Sequence, residues 1–311
     1  MKTDNCLIPA DNNIERRKFI VTITKATGIA FFITTPFPEI AKAFHLQKRT
    51  WTVEQVIGLF IKEVPGSPFK NTVDTLKAGQ PGTIVTGIVT TMFATIEVIK
   101  KTIQLGANFI IAHEPSFYNH QDETDWLKND DVYQYKMDLL NKHNIAIWRN
   151  HDYIHNLPND GVLMGVLRQT GWNKYNNADS PHILILPSVS LKSLVHHLKE
   201  RLNINMVRYI GDLSQPCQKI LLMPGAAGGR RQIEAIMKEK PDVLVCGEIQ
   251  EWETAEYVRD ARAKGQKIAL VVLGHIASEE PGSEFMADWI KAKIPGMRVT
   301  HIHANNSLNA G

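Results

Sequence analysis

The chain has 311 residues, 43% hydrophobic and 22% charged, with 20 Gly and 15 Pro, a globular balance that excludes collagen-like, coiled-coil and wholly disordered classes. Lys and Arg number 35 against 32 Asp and Glu, and the resulting +3 excludes a bulk electrostatic footprint for nucleic acid, leaving small molecules or proteins as partners. Cys6, Cys217 and Cys246 have neither C-x-x-C spacing nor an even count, which excludes a disulfide framework and a zinc ribbon, so any metal falls to His and carboxylate.

In chain order the first element is an address. Arg16-Arg17-Lys18 precede a mostly apolar run over 20–37, and Pro38 and Ala41-Lys42-Ala43 follow it, the order of n-region, h-region and A-x-A cleavage site. The paired arginines resemble a twin-arginine signal, the export route for folded proteins, while Glu15 and Val21 leave the general secretory route open. Residues 1–43 are therefore expected to export the chain to the periplasm, with a cytoplasmic protein the alternative if the leader does not function. Lys25 inside the run argues against an uncleaved membrane span. Removing the leader leaves 29 basic and 28 acidic residues and no stretch of membrane-spanning length.

Thr52 and Gln55 have capping-box spacing and open a helix whose Val53, Val56, Ile57, Phe60 and Ile61 recur at helical intervals; Pro65, Gly66 and Pro68 stop it. A β-branched run over 83–90 predicts a strand, 94–105 an amphipathic helix closed by Gly106, and 109–112 a short buried strand, together a βαβ unit. The alternation continues: helix 131–143, strand 145–148, helix 161–170, strand 182–186, helix 190–202, strand 219–223, helix 230–238, strand 243–246, helix 252–264 and strand 267–273. The fold class is α/β, with two α/β domains, the second inserted in the first. Residues 44–180 are expected to begin a metal-binding domain, 181–265 to form the second domain and 266–311 to close the first.

Ligands in α/β sheets gather at strand carboxyl ends. Four ends here are rich in polar residues: His113-Glu114-Pro115 after 109–112, His151-Asp152 and His155 after 145–148, Gly247-Glu248 after 243–246, and Gly274-His275 with Glu279 after 267–273. Imidazoles and carboxylates converging without thiolate suit Zn, Mn or Fe, and bridging carboxylates suit a pair of such ions. His275-x-x-x-Glu279 brings two donors one turn apart if a helix starts after Gly274, and His151-x-x-x-His155 has the same spacing. The competing reading makes these residues caps and turn formers at βα junctions.

These motifs, with the Asp160-Gly161-Val162 turn, Cys246-Gly247-Glu248 and above all Gly274-His275-Ile276-Ala277-Ser278-Glu279, resemble the NGG-interacting-factor-three-like family, also labelled a GTP cyclohydrolase type-two homologue. The resemblance runs from about Thr52 to His303, including the middle stretch 187–229. It implies two divalent metal ions per protomer between strand ends, a homohexameric assembly, and His275 and Glu279 as metal ligands. Where the family has His-His-Pro this chain has His113-Glu114-Pro115, and where the family has His-Thr-Asn-Leu-Asp it has His151-Asp152-Tyr153-Ile154-His155. The expected metal set is thus His113, Glu114, His155, Asp152, His275 and Glu279, with Asp152 or His151 either a ligand or an outer support. An acid that the family carries near Thr91 is missing.

The expected function is metal-dependent hydrolysis of a small substrate, cyclohydrolase- or phosphoesterase-like, with Glu248 and His151 as the catalytic proton carriers. The alternatives are a non-catalytic metal-binding oligomer for scaffolding, storage or delivery, and a structural module without metal. Pro224 to Arg231 reads as a tight turn or an anion cradle, and His301-x-His303 either completes the metal pocket or merely sits on it. Trp252, Trp289 and Tyr257 read as core or subunit contacts, and His196-His197 as solvent-facing.

Overall fold

Strands that are apolar along their whole length must be covered on both faces. The computed structural model, which describes residues 50–308, builds them into two five-stranded sheets. The expected export leader at 1–43 lies outside the described residues. Among the described residues no helix is long and apolar enough to cross a membrane.

The first sheet contains β1 (Leu76–Ala78), β2 (Ile88–Thr91), β3 (Phe109–Ala112), β4 (Ala146–Arg149) and β10 (Val299–His301), in the order β1-β4-β3-β2-β10. Strands β10, β2, β3 and β4 run parallel, and only β1 is antiparallel. The second sheet holds β5 (Ile183–Ser190), β6 (Arg208–Ile210), β7 (Pro216–Met223), β8 (Val243–Cys246) and β9 (Ala269–Val272), in the order β5-β7-β8-β9-β6 with antiparallel edges. The α/β class and the two-sheet organisation thus follow the strand and helix alternation.

Helices cover these sheets: α1 (Val53–Ile61), α2 (Ile96–Gln104), α3 (Asp131–Lys142), a short α4 (Asp152–His155), α5 (Gly161–Thr170), α6 (Leu191–Leu202), α7 (Gly229–Glu239), α8 (Glu256–Ala263) and the long α9 (His275–Lys293). Thr52, Thr95, Asp130, Asp160 and Ser190 cap α1, α2, α3, α5 and α6, each accepting from a backbone N–H of the first turn. On one face of the first sheet Val53, Phe60, Phe109, Trp148 and Ile290 pack together, and on the other Val98, Ile99, Ile110, Leu140 and Ile147. The second sheet buries Leu184, Leu194, Leu198, Ile220 and Val245 on one side and Ile236, Leu244, Val258 and Leu270 on the other.

The boundary expected at 265 falls too early. Strand β9 pairs with β8 and β6, so the chain returns to the first sheet through α9, after 272. Edge strands β1 and β6, each three residues long, are too short to leave a periodic signal. The strand expected over 83–90 starts at Ile88, because Ile84 is instead bridged to Thr52 beside α1. The helix expected over 252–264 opens as a π turn over Glu251–Ala255 before α8. His196 is solvent-facing, but His197 is not: its Nε2 lies 2.8 Å from the Thr170 carbonyl and its ring stacks on Trp172. Trp289 is a core residue, edge-on to Phe60, whereas Trp252 is exposed.

Helices α5 and α9 join the two sheets. Val162 of α5 packs into the core of the first sheet, while Leu163, Val166 and Leu167 pack into that of the second. The two helices meet backbone to backbone: a Cβ at Gly165 would press into the Pro281 carbonyl, and one at Gly282 would lie 2.9 Å from the Val162 Cα. A methyl group fits at neither position without moving a helix. Gly165→Ala should therefore cost about 2 kcal/mol, read as a lower urea midpoint at unchanged slope; an unchanged midpoint would show that the junction is loosely packed.

Candidate metal centre

The carboxyl ends of β3, β4 and β9 deliver the donors. His113 and Glu114 follow β3 directly, His151 follows β4 and precedes α4, His155 ends α4, and His275 and Glu279 form the first turn of α9. The expected helix after Gly274 is present, and Gly274 itself takes φ 95°, a left-handed conformation that glycine adopts freely. Three imidazoles, His113, His151 and His155, each offer an atom within 4.8 Å of the others, and His113, Glu114 and Glu279 form a second such group. The two groups share His113. His275 joins the second, its Nε2 lying 3.0 Å from Glu279 Oε2 and 3.3 Å from Glu114 Oε1.

Each imidazole is aimed by a partner on its other nitrogen, as metal ligands are. His113 Nδ1 lies 3.1 Å from the Asn150 carbonyl, to which it can only donate, so its Nε2 points into the pocket toward Glu279 Oε2 at 3.3 Å. That Nε2 is buried and has no hydrogen-bond partner among the described residues. His155 Nδ1 is 2.9 Å from Asp160 Oδ2, while Asp160 Oδ1 caps α5. His275 Nδ1 is 2.9 Å from Glu248 Oε1, and His151 Nδ1 is 2.9 Å from Asp152 Oδ1.

Asp152, expected among the metal ligands, falls in neither donor group. Its Oδ1 aims His151, and its second oxygen accepts from the Thr72 hydroxyl at 2.7 Å and the Val73 N–H at 3.1 Å. His151, expected as a proton carrier, lies within the donor cluster, and Glu248 holds His275 from the solvent side with its side chain 54% exposed. Thr91, near which the resemblance leads to the expectation of an acid, is buried and turns its hydroxyl to the Phe93 carbonyl.

The ionisable groups record the crowding. Burial opposes charge on Glu114 and Glu279, but hydrogen bonds and charge from His275 and His113 outweigh it and hold both carboxyls below the usual range. Burial likewise opposes the His275 cation, yet Glu114 and Glu279 raise it to about 10. His151, buried and close to the His113 and His155 rings, is lowered to about 4. Buried carboxylates and imidazoles converge on one pocket, with His275 held as a cation between Glu114 and Glu279, and this donor set is consistent with a divalent metal taking the place of that proton.

Residues that no spacing revealed hold this pocket in place. Arg149, the last residue of β4, is fully buried; its Nη2 lies 3.3 Å from Glu114 Oε2, its Nε donates to the His113 carbonyl at 3.3 Å, and its Nη1 reaches the His120 carbonyl and Asp122. Asp122 also takes Lys77 at 3.3 Å and accepts the N–H groups of Ser116 and Phe117. Asp74 accepts from the backbone N–H groups of His151 and Tyr153, both at 2.7 Å, and so fixes the start of α4. The one sequence signal for Arg149 was a charge at the end of an otherwise apolar strand. The glycine-rich run after β7 is a turn: a side chain at Gly225 would strike the Glu279 carboxylate, and the Gly225 N–H donates to Ser278 Oγ at 3.0 Å.

Comparison with known proteins gives the family and the fold. The model of the Duf34/NIF3 (NGG1p interacting factor 3) family matches residues 74–309. The chain belongs to this family. A GTP cyclohydrolase 1 type 2 homolog of Clostridium acetobutylicum is 23% identical over 235 residues, 72% of this chain and 83% of that protein. Its namesake from Clostridium perfringens is 23% identical over 223 residues, 68% and 79% of the two chains. Hypothetical protein SA1388 of Staphylococcus aureus superposes with a TM-score of 0.65 at 20% identity, covering 82% of this chain and 97% of that one. A Bacillus cereus protein related to NIF3 gives 0.64 at 17%, covering 84% and 100%. This is the NIF3-like fold, with clustered His and Glu groups consistent with a metal site.

Two outcomes test the supports of the centre. Arg149→Leu leaves Glu114 and Asp122 buried without their guanidinium and should cost about 3–5 kcal/mol in denaturant unfolding; a cost below 1 kcal/mol would show that the pair is solvated. Lys136, buried with its Nζ 2.5 Å from the Ser116 carbonyl, is lowered by burial to about 8 from 10.5. Between those values the unfolded chain binds the proton and the folded one does not, so stability rises with pH. The thermal midpoint should climb less steeply from pH 8 to 10 in Lys136→Met than in the parent, and equal slopes would refute the burial cost.

Proposed function

We propose that this NIF3 family member holds two divalent cations per protomer and hydrolyses a small substrate. The observation that carries the reading is the pair of donor groups sharing His113, one of three imidazoles and one of carboxylates with imidazole. In it His113, His151 and His155 hold one cation, of Zn, Mn or Fe type, and His113, Glu114, His275 and Glu279 hold the other. When bound, such a pair supplies Lewis acidity and lowers the pKa of a water toward neutrality. The remaining chemistry belongs to the chain. Glu248, bonded to His275 and half exposed, is placed to take and return a proton at the mouth of the pocket. The buried Arg149 and Asp74 and the half-buried Asp160 keep the donors from rearranging as charge changes.

The clostridial relatives' names make nucleotide ring hydrolysis one reaction to assay. An exported protein meets little nucleotide, so with the expected leader phosphoesters and amides rank above it. A homo-oligomer, hexameric by family resemblance, belongs to the same reading.

The test is elemental analysis of untagged protein beside turnover on a panel of phosphoesters, amides and purine nucleotides. His275→Ala combined with Glu279→Ala should lose about one equivalent of metal and His113→Ala about two, each with loss of turnover and a native circular dichroism spectrum. Turnover that survives both changes would overturn the hydrolase reading. Metal without turnover on any substrate class would assign a binding, storage or scaffold protein instead.

A further inference from the structure

A second set of metal-type donors lies at the open edge of the first sheet, where β10 pairs with β2. His301 ends β10 and His303 lies two residues on, so the extended chain brings both rings to one side, with centroids 4.7 Å apart. Glu280 reaches them from α9. Its Oε1 lies 3.4 Å from His301 Nε2, its Oε2 lies 4.0 Å from His303 Nδ1, and one donor atom from each residue falls within 4.8 Å of the others.

The orientation of His301 repeats that of His113. Its Nδ1 lies 3.1 Å from the Thr90 carbonyl, which can only accept, so this nitrogen carries the proton and Nε2 presents its lone pair. Nε2 is buried, with no hydrogen-bond partner among the described residues, and it faces a carboxylate oxygen. Glu280 is positioned in turn by the Ala304 N–H, 3.2 and 3.3 Å from its two oxygens. Two ligands bound at 2.0–2.1 Å on a tetrahedral cation stand about 3.3 Å apart, which is the spacing of Oε1 and Nε2.

We propose that Glu280, His301 and His303 form a third metal site, separate from the paired centre, for one divalent transition-metal cation. Two imidazoles and one carboxylate suit Zn(II) or Fe(II) with positions left for water, and they are too nitrogen-rich for Mg(II) or Ca(II). Successive residues on a helix diverge by about 100°, so Glu279 turns to His113 and His275 while Glu280 turns to His301. The side chains of His301 and Glu280 are 10% and 9% exposed, whereas that of His303 is 62% exposed. The cation therefore enters from the His303 side and exchanges with solvent more readily than one in the paired centre. The site stands independently of the hydrolase reading.

Full-length protein stripped of metal and titrated with Co(II) and then Zn(II), followed by Co(II) visible absorption and by stoichiometry, tests it. His303→Ala, at an exposed position that leaves the core untouched, should lose one equivalent or weaken it about tenfold or more, and His301→Gln should do the same. The variant combining His275→Ala with Glu279→Ala should retain this equivalent, which separates the site from the paired centre. Stoichiometry, affinity and spectrum unchanged in both His303→Ala and His301→Gln would overturn the proposal and leave Glu280 and His301 as a proton-sharing pair.

Discussion

The whole centre rests on a buried arginine. Glu114, Glu279 and Asp122 are buried within or beneath the pocket, where carboxylates need donors and positive charge beside them. Arg149 supplies it from the end of β4, joined to Glu114 and Asp122 and tied to the carbonyls of His113 and His120. Lys77 adds a second cation below Asp122. With the base of the pocket compensated, the carboxylates on its upper side are met by the His275 and His113 imidazoles, an arrangement consistent with a metal site.

The same balance runs through the rest of the pocket. Glu114 carries a negative charge next to Arg149, while His155 is oriented by Asp160. The donors fall into two uneven groups, one of three imidazoles and one with two carboxylates. On the two-cation reading, the first suits a softer borderline ion and the second a harder one.

Much of this was legible in the sequence, for local reasons. Short apolar runs alternating with amphipathic segments fixed the α/β class, and His275-x-x-x-Glu279 after Gly274 marked a helix start with two donors on one turn. The remainder depended on pairing between distant segments. Strand β9 reads like any buried strand, and nothing local says that it belongs beside β8. Asp152 looks as much like a ligand as His155 does until Thr72 and Val73, eighty residues earlier, are seen to occupy its second oxygen. His301 and His303 were visible as a pair, but Glu280 was hidden beside the more conspicuous Glu279.

The late position of α9 in the chain carries a consequence for biogenesis. His113, His151 and His155, with Asp160 and Arg149, have all left the ribosome well before His275 and Glu279 are made, and only then can α9 close onto α5. On the two-cation reading, the three-imidazole donor group is therefore complete in the chain before the carboxylate group, which awaits the docking of α9.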